Sequence, residues 1–212
     1  MTALLDARSL KKLYPIRRGL RRQYLHAVDG VDLSIDQGQC VGLVGESGCG
    51  KSTLARLVAR LIEPTSGAIV FDGVEMGATS LRTFASSQMR AAIQAVFQDP
   101  HESLNPSFTA FDAVADPVRR LARAADGRAV ADRVFNAFDD VGLPRELARR
   151  YPHQLSGGQK ARVGIARAIA VDPRLIILDE PTSALDASVQ SVILKLLGEL
   201  RAKRGMSYLF VS

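Results

Sequence analysis

One short run limits the folds open to this chain more than any other: Gly45-Glu46-Ser47-Gly48-Cys49-Gly50-Lys51-Ser52, placed directly after the apolar strand Cys40-Val41-Gly42-Leu43-Val44. From Lys51 to about Ile62 the apolar residues Leu54, Leu57, Val58 and Leu61 recur at helical spacing. Strand, glycine-rich loop and helix in that order fit the phosphate-loop pattern G-x-x-x-x-G-K-S/T. The glycines let backbone N–H groups curl round an anion, and the helix aims its positive end at it. Lys51 is then expected to reach the β- and γ-phosphates of a nucleotide, and Ser52 to coordinate Mg²⁺.

Two further runs match that chemistry. Leu175-Ile176-Ile177-Leu178-Asp179-Glu180 reads as a buried strand ending in two carboxylates, at the end of the sheet where open α/β folds bind ligands. Asp179 is expected to hold Mg²⁺, directly or through water, and Glu180 to act as general base on the attacking water. Standing alone, the pair would read as a helix cap with a dipole partner; beside a phosphate loop it reads as catalytic. The third run, Leu155-Ser156-Gly157-Gly158-Gln159, opens a helix and makes a second anion-cradling nest. One nucleotide needs only one such cradle within a fold, so the second calls for another explanation.

The rest of the chain has ordinary globular texture. Its 212 residues are 47% apolar and 24% charged, and suit one domain or one domain with an insertion. No apolar run reaches the length of a membrane span, and the N-terminus lacks the pattern of a signal peptide. Cys40 and Cys49 are too few for a disulfide framework or a metal set and read as reduced, packed thiols. Net charge is +6, with Arg17, Arg18, Arg21 and Arg22 forming the densest cluster, read as a solvated loop or, alternatively, as a contact with lipid headgroups or a partner. This balance alone does not indicate nucleic acid, and no nucleic-acid partner is expected.

Residues 3–10 and 27–35 read as strands on either side of that loop, residues 68–71 as a strand before an Asp72-Gly73 turn, and residues 93–97 as another. Residues 108–150, rich in Ala and Arg with Val130, Val134, Phe138 and Val141 at helical spacing, read as several helices. After residue 156 a helix runs to about Ala170, and the strand 175–178 follows. Another helix carries Val189, Val192, Ile193, Leu196, Leu197 and Leu200 as a core-facing stripe. A final strand holds Tyr208-Leu209-Phe210-Val211. Strands alternating with helices predict a mainly parallel sheet covered on both faces.

With its three motifs in order, the chain resembles the ABC ATPase family, whose signature is Leu-Ser-Gly-Gly-Gln. The resemblance covers essentially the whole sequence. It implies an α/β fold: a P-loop NTPase (RecA-like) core with a mainly parallel sheet, an N-terminal antiparallel β part and an inserted helical subdomain. On this reading 1–212 is one ABC ATPase domain, with 1–98 and 156–212 forming the β-rich part plus core, and 99–155 the helical subdomain. The cofactors implied are ATP and Mg²⁺. Cofactor contacts carry over to Gly45, Ser47, Gly48, Cys49, Gly50, Lys51, Ser52 and Thr53, and to Ser156, Gly157, Gly158 and Gln159, which in the family close on the nucleotide of a second subunit. Gln98 matches the glutamine that contacts Mg²⁺ and the attacking water and links the core to the helical part, which receives the transporter's coupling helix. Asp186, in Ser183-Ala184-Leu185-Asp186, matches the loop that crosses the dimer interface. Tyr14 matches the aromatic that stacks on adenine, with Tyr24 as the alternative.

A narrower resemblance, to the dipeptide, oligopeptide and nickel importer branch, rests on Gln98-Asp99-Pro100-His101-Glu102-Ser103-Leu104-Asn105-Pro106, Tyr151-Pro152-His153-Gln154-Leu155 and Ala27-Val28-Asp29-Gly30-Val31. It implies an ATP-hydrolysing subunit peripheral to the cytoplasmic face of the inner membrane. The implied partners are transmembrane permease subunits, an extracytoplasmic solute-binding protein and a second ATPase subunit, either a paralogue or a second copy of this chain, in a head-to-tail dimer. The competing reading is a non-transport ABC ATPase, such as a phosphonate C–P lyase accessory protein. Repair ATPases of the family carry a long insertion, whereas only about 57 residues separate Gln98 from Ser156. Lys160-Ala161 stand where relatives often have Arg-Gln. Relatives also continue past Val211-Ser212 with a histidine that contacts the γ-phosphate; His26, His101 and His153 do not match it, and the resemblance implies a C-terminally truncated sequence.

Overall fold

The computed structural model describes residues 3–18, 21–97, 103–122 and 126–212. Two four-stranded sheets organise them. The first is antiparallel, in the order β2-β1-β4-β5, with β1 Leu5–Arg18, β2 Arg21–Ile35, β4 Ser66–Phe71 and β5 Val74–Glu75. The second is wholly parallel, in the order β3-β8-β7-β6, with β3 Cys40–Leu43, β6 Ile93–Val96, β7 Leu175–Asp179 and β8 Ser207–Val211.

The antiparallel part is longer than its apolar patches predict. Instead of two short strands around an arginine loop, β1 and β2 form one hairpin whose register runs out to Arg17↔Arg22 and Arg18↔Arg21. The stretch from Tyr14 to Gln23 shows no alternation of apolar and polar residues, because both faces of this arm lie beyond the edge of β4, whose pairing with β1 ends at Lys11↔Ser66.

In the parallel sheet, side chains alternate between two cores, as the period of a strand requires. Ile176, Leu178 and Tyr208 point to one face, where they meet α6 (Gly157–Ile169) and α7 (Ala187–Arg204). Leu175, Ile177, Leu209 and Val211 point to the other, against α1 (Lys51–Val58) and the antiparallel sheet. Two short helices, α2 (Leu81–Ala85) and α3 (Gln88–Ala92), precede β6 and were not legible as periodic segments; each starts at a serine, Ser80 or Ser87, whose side chain accepts a first-turn N–H.

The helical stretch holds α4 (Ala110–Leu121), α5 (Gly127–Asp140) and two 3₁₀ turns, at Arg145–Arg149 and Pro152–Gln154. Its interior is continuous with the first core: Val114, Val118, Val134 and Phe138 are fully buried in the same cluster as α6. The Phe111, Phe135 and Phe138 rings join α4 to α5, with centroids 5.8 and 6.2 Å apart in succession. A charged chain also ties α5 to the core. Arg133 and Arg204 both reach Asp172, at 3.0 and 2.8 Å, while Arg204 and Lys203 both bond Asp140. Burial opposes the Asp140 charge, but the hydrogen bonds from Lys203 and Arg204 outweigh it and hold the carboxyl below its ordinary range.

Of the stripe predicted to face the core on α7, Ile193, Leu197 and Leu200 do so, whereas Val192 is 49% exposed. Val189 and Leu196 pack, partly buried, against the same core, so Val192 alone of the stripe turns away. Among the described residues, no helix is long and apolar enough to cross a membrane.

Candidate functional site

Both sheets contribute to one open cavity of about 660 Å³, lined by Tyr14, Leu25, His26 and Ala27 from the hairpin, Ser47 to Thr53 from the loop and first turn of α1, and Glu180. The parallel sheet dictates this location. The loops that follow β3 and β7 leave from the same, C-terminal, edge, so residues 127 positions apart in sequence meet there: Ser52 Oγ donates to Asp179 Oδ1 at 3.2 Å. Asp179 is only 4% exposed, with Ser52 as its hydrogen-bonding neighbour. A hydroxyl and a carboxylate converging at the foot of an anion-binding loop form the hard oxygen set that Mg²⁺ takes, so the residues present fit that ion.

The loop itself is shaped by Gly50. Its φ is +101°, in the left-handed region, and a Cβ there would stand 2.1 Å from the Ala27 carbonyl oxygen. The hairpin backbone therefore presses directly on the loop. Lys51 closes the loop from inside, its Nζ donating to the carbonyls of Gly45 at 2.5 Å and Glu46 at 3.0 Å. A bound polyphosphate would replace these two carbonyls as the partner of the ammonium.

Glu180 adopts φ +47°, unusual for a residue with a side chain. Three backbone-directed bonds hold it there. Its N–H donates to Val211 O at 3.0 Å, and its carbonyl accepts from the Ser183 N–H at 3.2 Å and the Ser183 hydroxyl at 3.1 Å. Strain of this kind persists only where surrounding contacts enforce it, and here it belongs to a residue that lines the cavity.

Ser156 caps α6 in a reciprocal box: its Oγ accepts the Gln159 N–H at 3.3 Å, and Gln159 Oε1 accepts the Ser156 N–H at 2.9 Å. The next two positions are glycine because the segment packs tightly; a Cβ on Gly158 would approach Val189 Cγ1 to 2.9 Å, and one on Gly157 would approach Leu185 Cδ2 to 3.3 Å. Asp186 stands at the N-cap of α7 on the same flank. None of residues 156–159, nor Asp186, lines the cavity formed by the loop of their own chain. The structure thus gathers Tyr14, residues 47–53, Asp179 and Glu180, and leaves the second cradle elsewhere. Gln98 lies outside the described residues, as do Asp99 to Glu102.

Tyr14 is in the cavity wall and Tyr24, 54% exposed, is not. His26 and Leu25 line the cavity without having been singled out from the sequence as contacts. His26 Nδ1 is 3.2 Å from Asp29 Oδ2, and Lys11 Nζ is 2.8 Å from Oδ1. Hydrogen bonds from Lys11 and then His26 lower the Asp29 carboxyl from its ordinary range. The two cysteines correct an expectation: both are exposed, not packed. Cys40 starts β3, the edge strand of its sheet, and Cys49 sits on the loop surface within the cavity lining.

Comparison with known proteins gives three kinds of likeness. The family profile described as ABC transporter matches residues 28–183. The oligopeptide transport ATP-binding protein OppF of Lactococcus lactis subsp. lactis is 41% identical over 215 residues, covering 100% of this chain and 66% of that protein. The dipeptide transport ATP-binding protein DppF of Haemophilus influenzae is 40% identical, covering 100% and 64%. The chain therefore spans about two thirds of the length of these curated relatives. Among solved structures, the ATP-binding cassette MJ0796, in a dimeric post-hydrolysis state bound to ADP and Pi, superposes with a TM-score of 0.86 at 31% identity, covering 98% of this chain and 87% of that one.

Proposed function

The chain belongs to the ABC transporter family, and we propose that it is the ATP-binding and hydrolysing part of a peptide importer, working as one of two such subunits beneath a permease. The observation that carries the proposal is the meeting of Ser52 and Asp179 at the foot of the loop closed by Lys51, with Glu180 in the same wall. Nothing in a structural turn requires a buried carboxylate to face a phosphate-type loop across the sheet.

In this reading the N–H groups of residues 47–53 and the Lys51 ammonium bind the triphosphate, and Tyr14 stacks on the adenine. Ser52, Asp179 and Gln98 would hold Mg²⁺, which would supply neutralisation of charge on the phosphate oxygens. Glu180 takes a proton from the attacking water; positioning and charge neutralisation supply the rest of the rate. The Ser156 cradle, away from its own chain's loop, serves the nucleotide of the partner subunit: the first-turn N–H groups of Gly157 and Gly158 have no acceptor within their helix. Head-to-tail pairing gives each nucleotide one loop and one signature, with Asp186 on the shared face. That the similar cassette MJ0796 is dimeric with ADP and Pi bound supports pairing of two such subunits.

A groove of about 540 Å³ between α2–α3 and α4, lined by Arg82, Arg90, Phe97, Asp116 and Arg167, is the place proposed for the permease segment. Its position at the join of residues 1–98 and the helical stretch would let that segment sense both. Peptide as the solute rests on the two importer relatives; the solute-binding protein and a location on the cytoplasmic side of the inner membrane follow from the same reading. The test is reconstitution of the full-length protein with its permease and binding protein. Peptide-loaded binding protein should raise ATP turnover several-fold; turnover indifferent to every peptide but raised by another solute would overturn the peptide assignment.

A further inference from the structure

The wall of the cavity has a support of its own. Tyr14 and Lys12 are two residues apart on β1, so their side chains share a face. Lys12 Nζ stands 5.3 Å from the centroid of the Tyr14 ring, and it donates a 2.7 Å hydrogen bond to the Glu63 carbonyl. Glu63 belongs to the segment that leaves α1, the helix whose first residue is Lys51.

That segment is fastened to β1 twice more. The Thr65 N–H donates to Lys11 O at 2.7 Å, and the Leu13 N–H donates to Thr65 Oγ1 at 3.0 Å. At its other end Arg60, with a side chain 3% exposed, donates to Thr79 O at 2.7 Å. The far end of the phosphate-loop helix is thereby tied to the strand that carries the aromatic ring, and Lys12 is the only one of these ties that touches the ring itself.

We propose that Lys12 is a positioning residue for the nucleobase: it backs the Tyr14 ring at a fixed place relative to the phosphate loop and tunes it for an electron-rich purine. The inference rests on the reading that Tyr14 stacks on adenine. An ammonium over one face of an aromatic ring is attracted to its π-density and draws on it. The opposite face is then less negative, which lowers the repulsion between two stacked π-clouds. Both the anchoring and the polarisation act on the base and leave the phosphates alone.

Calorimetric titration of the chain with two magnesium-loaded probes separates these effects: adenylyl imidodiphosphate, which carries the base, and inorganic tripolyphosphate, which does not. Lys12→Met keeps the length of the stem and removes the charge. It should weaken the adenine probe about fivefold, the size of one partly exposed cation–π contact, and leave tripolyphosphate unchanged, and Lys12→Arg should restore most of the loss. Equal weakening of both probes would make Lys12 a phosphate-attracting charge or a folding contact and overturn the proposal, as would no change in either. Tyr14→Ala, run in parallel, should weaken the adenine probe roughly tenfold through lost stacking. If Tyr14→Ala has no effect, the stacking reading fails and takes this inference with it; if Tyr14→Ala weakens the probe and Lys12→Met does not, only the role of Lys12 fails.

Discussion

Replacing Glu180 with glutamine should leave ATP binding intact and cut turnover by a factor on the order of 10²–10⁴, the range of a lost general base. The substitution isolates chemistry from structure. Glutamine keeps the length and shape of the side chain and has no greater aversion to φ +47° than glutamate, so the bonds to Val211 and Ser183 that fix the backbone survive. What disappears is the proton acceptor. A chain that binds nucleotide and cannot split it should also accumulate in the closed, nucleotide-bound pair, visible as a larger species in sedimentation. Turnover of the full-length assembly that stays at the wild-type level would remove Glu180 from the base role.

Gly50→Ala should damage both stability and binding, for a reason unrelated to chemistry. The new Cβ would sit 2.1 Å from the Ala27 carbonyl oxygen and 3.3 Å from its carbon, atoms of the backbone of β2 that cannot rotate away. Left-handed backbone adds roughly 1–2 kcal/mol for a residue with a side chain, and overpacking adds about 1–3 kcal/mol. We expect a loss of about 3 kcal/mol by denaturant titration and nucleotide affinity reduced below detection, since relief of the clash must move the loop off the hairpin. Gly48→Ala is the internal comparison: φ there is +83°, but nothing lies within 4 Å of the added atom. It should cost the backbone term alone, about 1–2 kcal/mol. A Gly50→Ala chain as stable as wild type would show that the hairpin does not press on the loop.

How much of this could be read from the residues depended on how local the signal was. The loop 45–52 and the strand 175–178 announce themselves within eight residues each, and the parallel order of the sheet follows from their alternation with helices. The meeting of Ser52 with Asp179 was foreseen as chemistry, though only the sheet order supplies the distance. Sheet order also decides what sequence periodicity cannot: Cys40 reads as a buried small residue but stands on an edge strand, and Val192 reads as core but is half exposed on α7. The long hairpin was hidden because the stretch from Tyr14 to Gln23 has no apolar period to detect. The left-handed Glu180 and the tie that anchors Lys12 behind Tyr14 were beyond reach for a different reason. Each depends on partners far along the chain, Val211 for one and Glu63 for the other, that no spacing rule brings together.

The central claim, that the loop, Lys51, Ser52 and Asp179 form a working MgATP site, is tested most directly by titrating the chain with MgATP. It predicts saturation at one nucleotide per chain, retained by Glu180→Gln and lost in Lys51→Ala, with the melting temperature of both variants close to wild type in the absence of nucleotide. Failure to saturate, or binding that Lys51→Ala leaves unchanged, would contradict it.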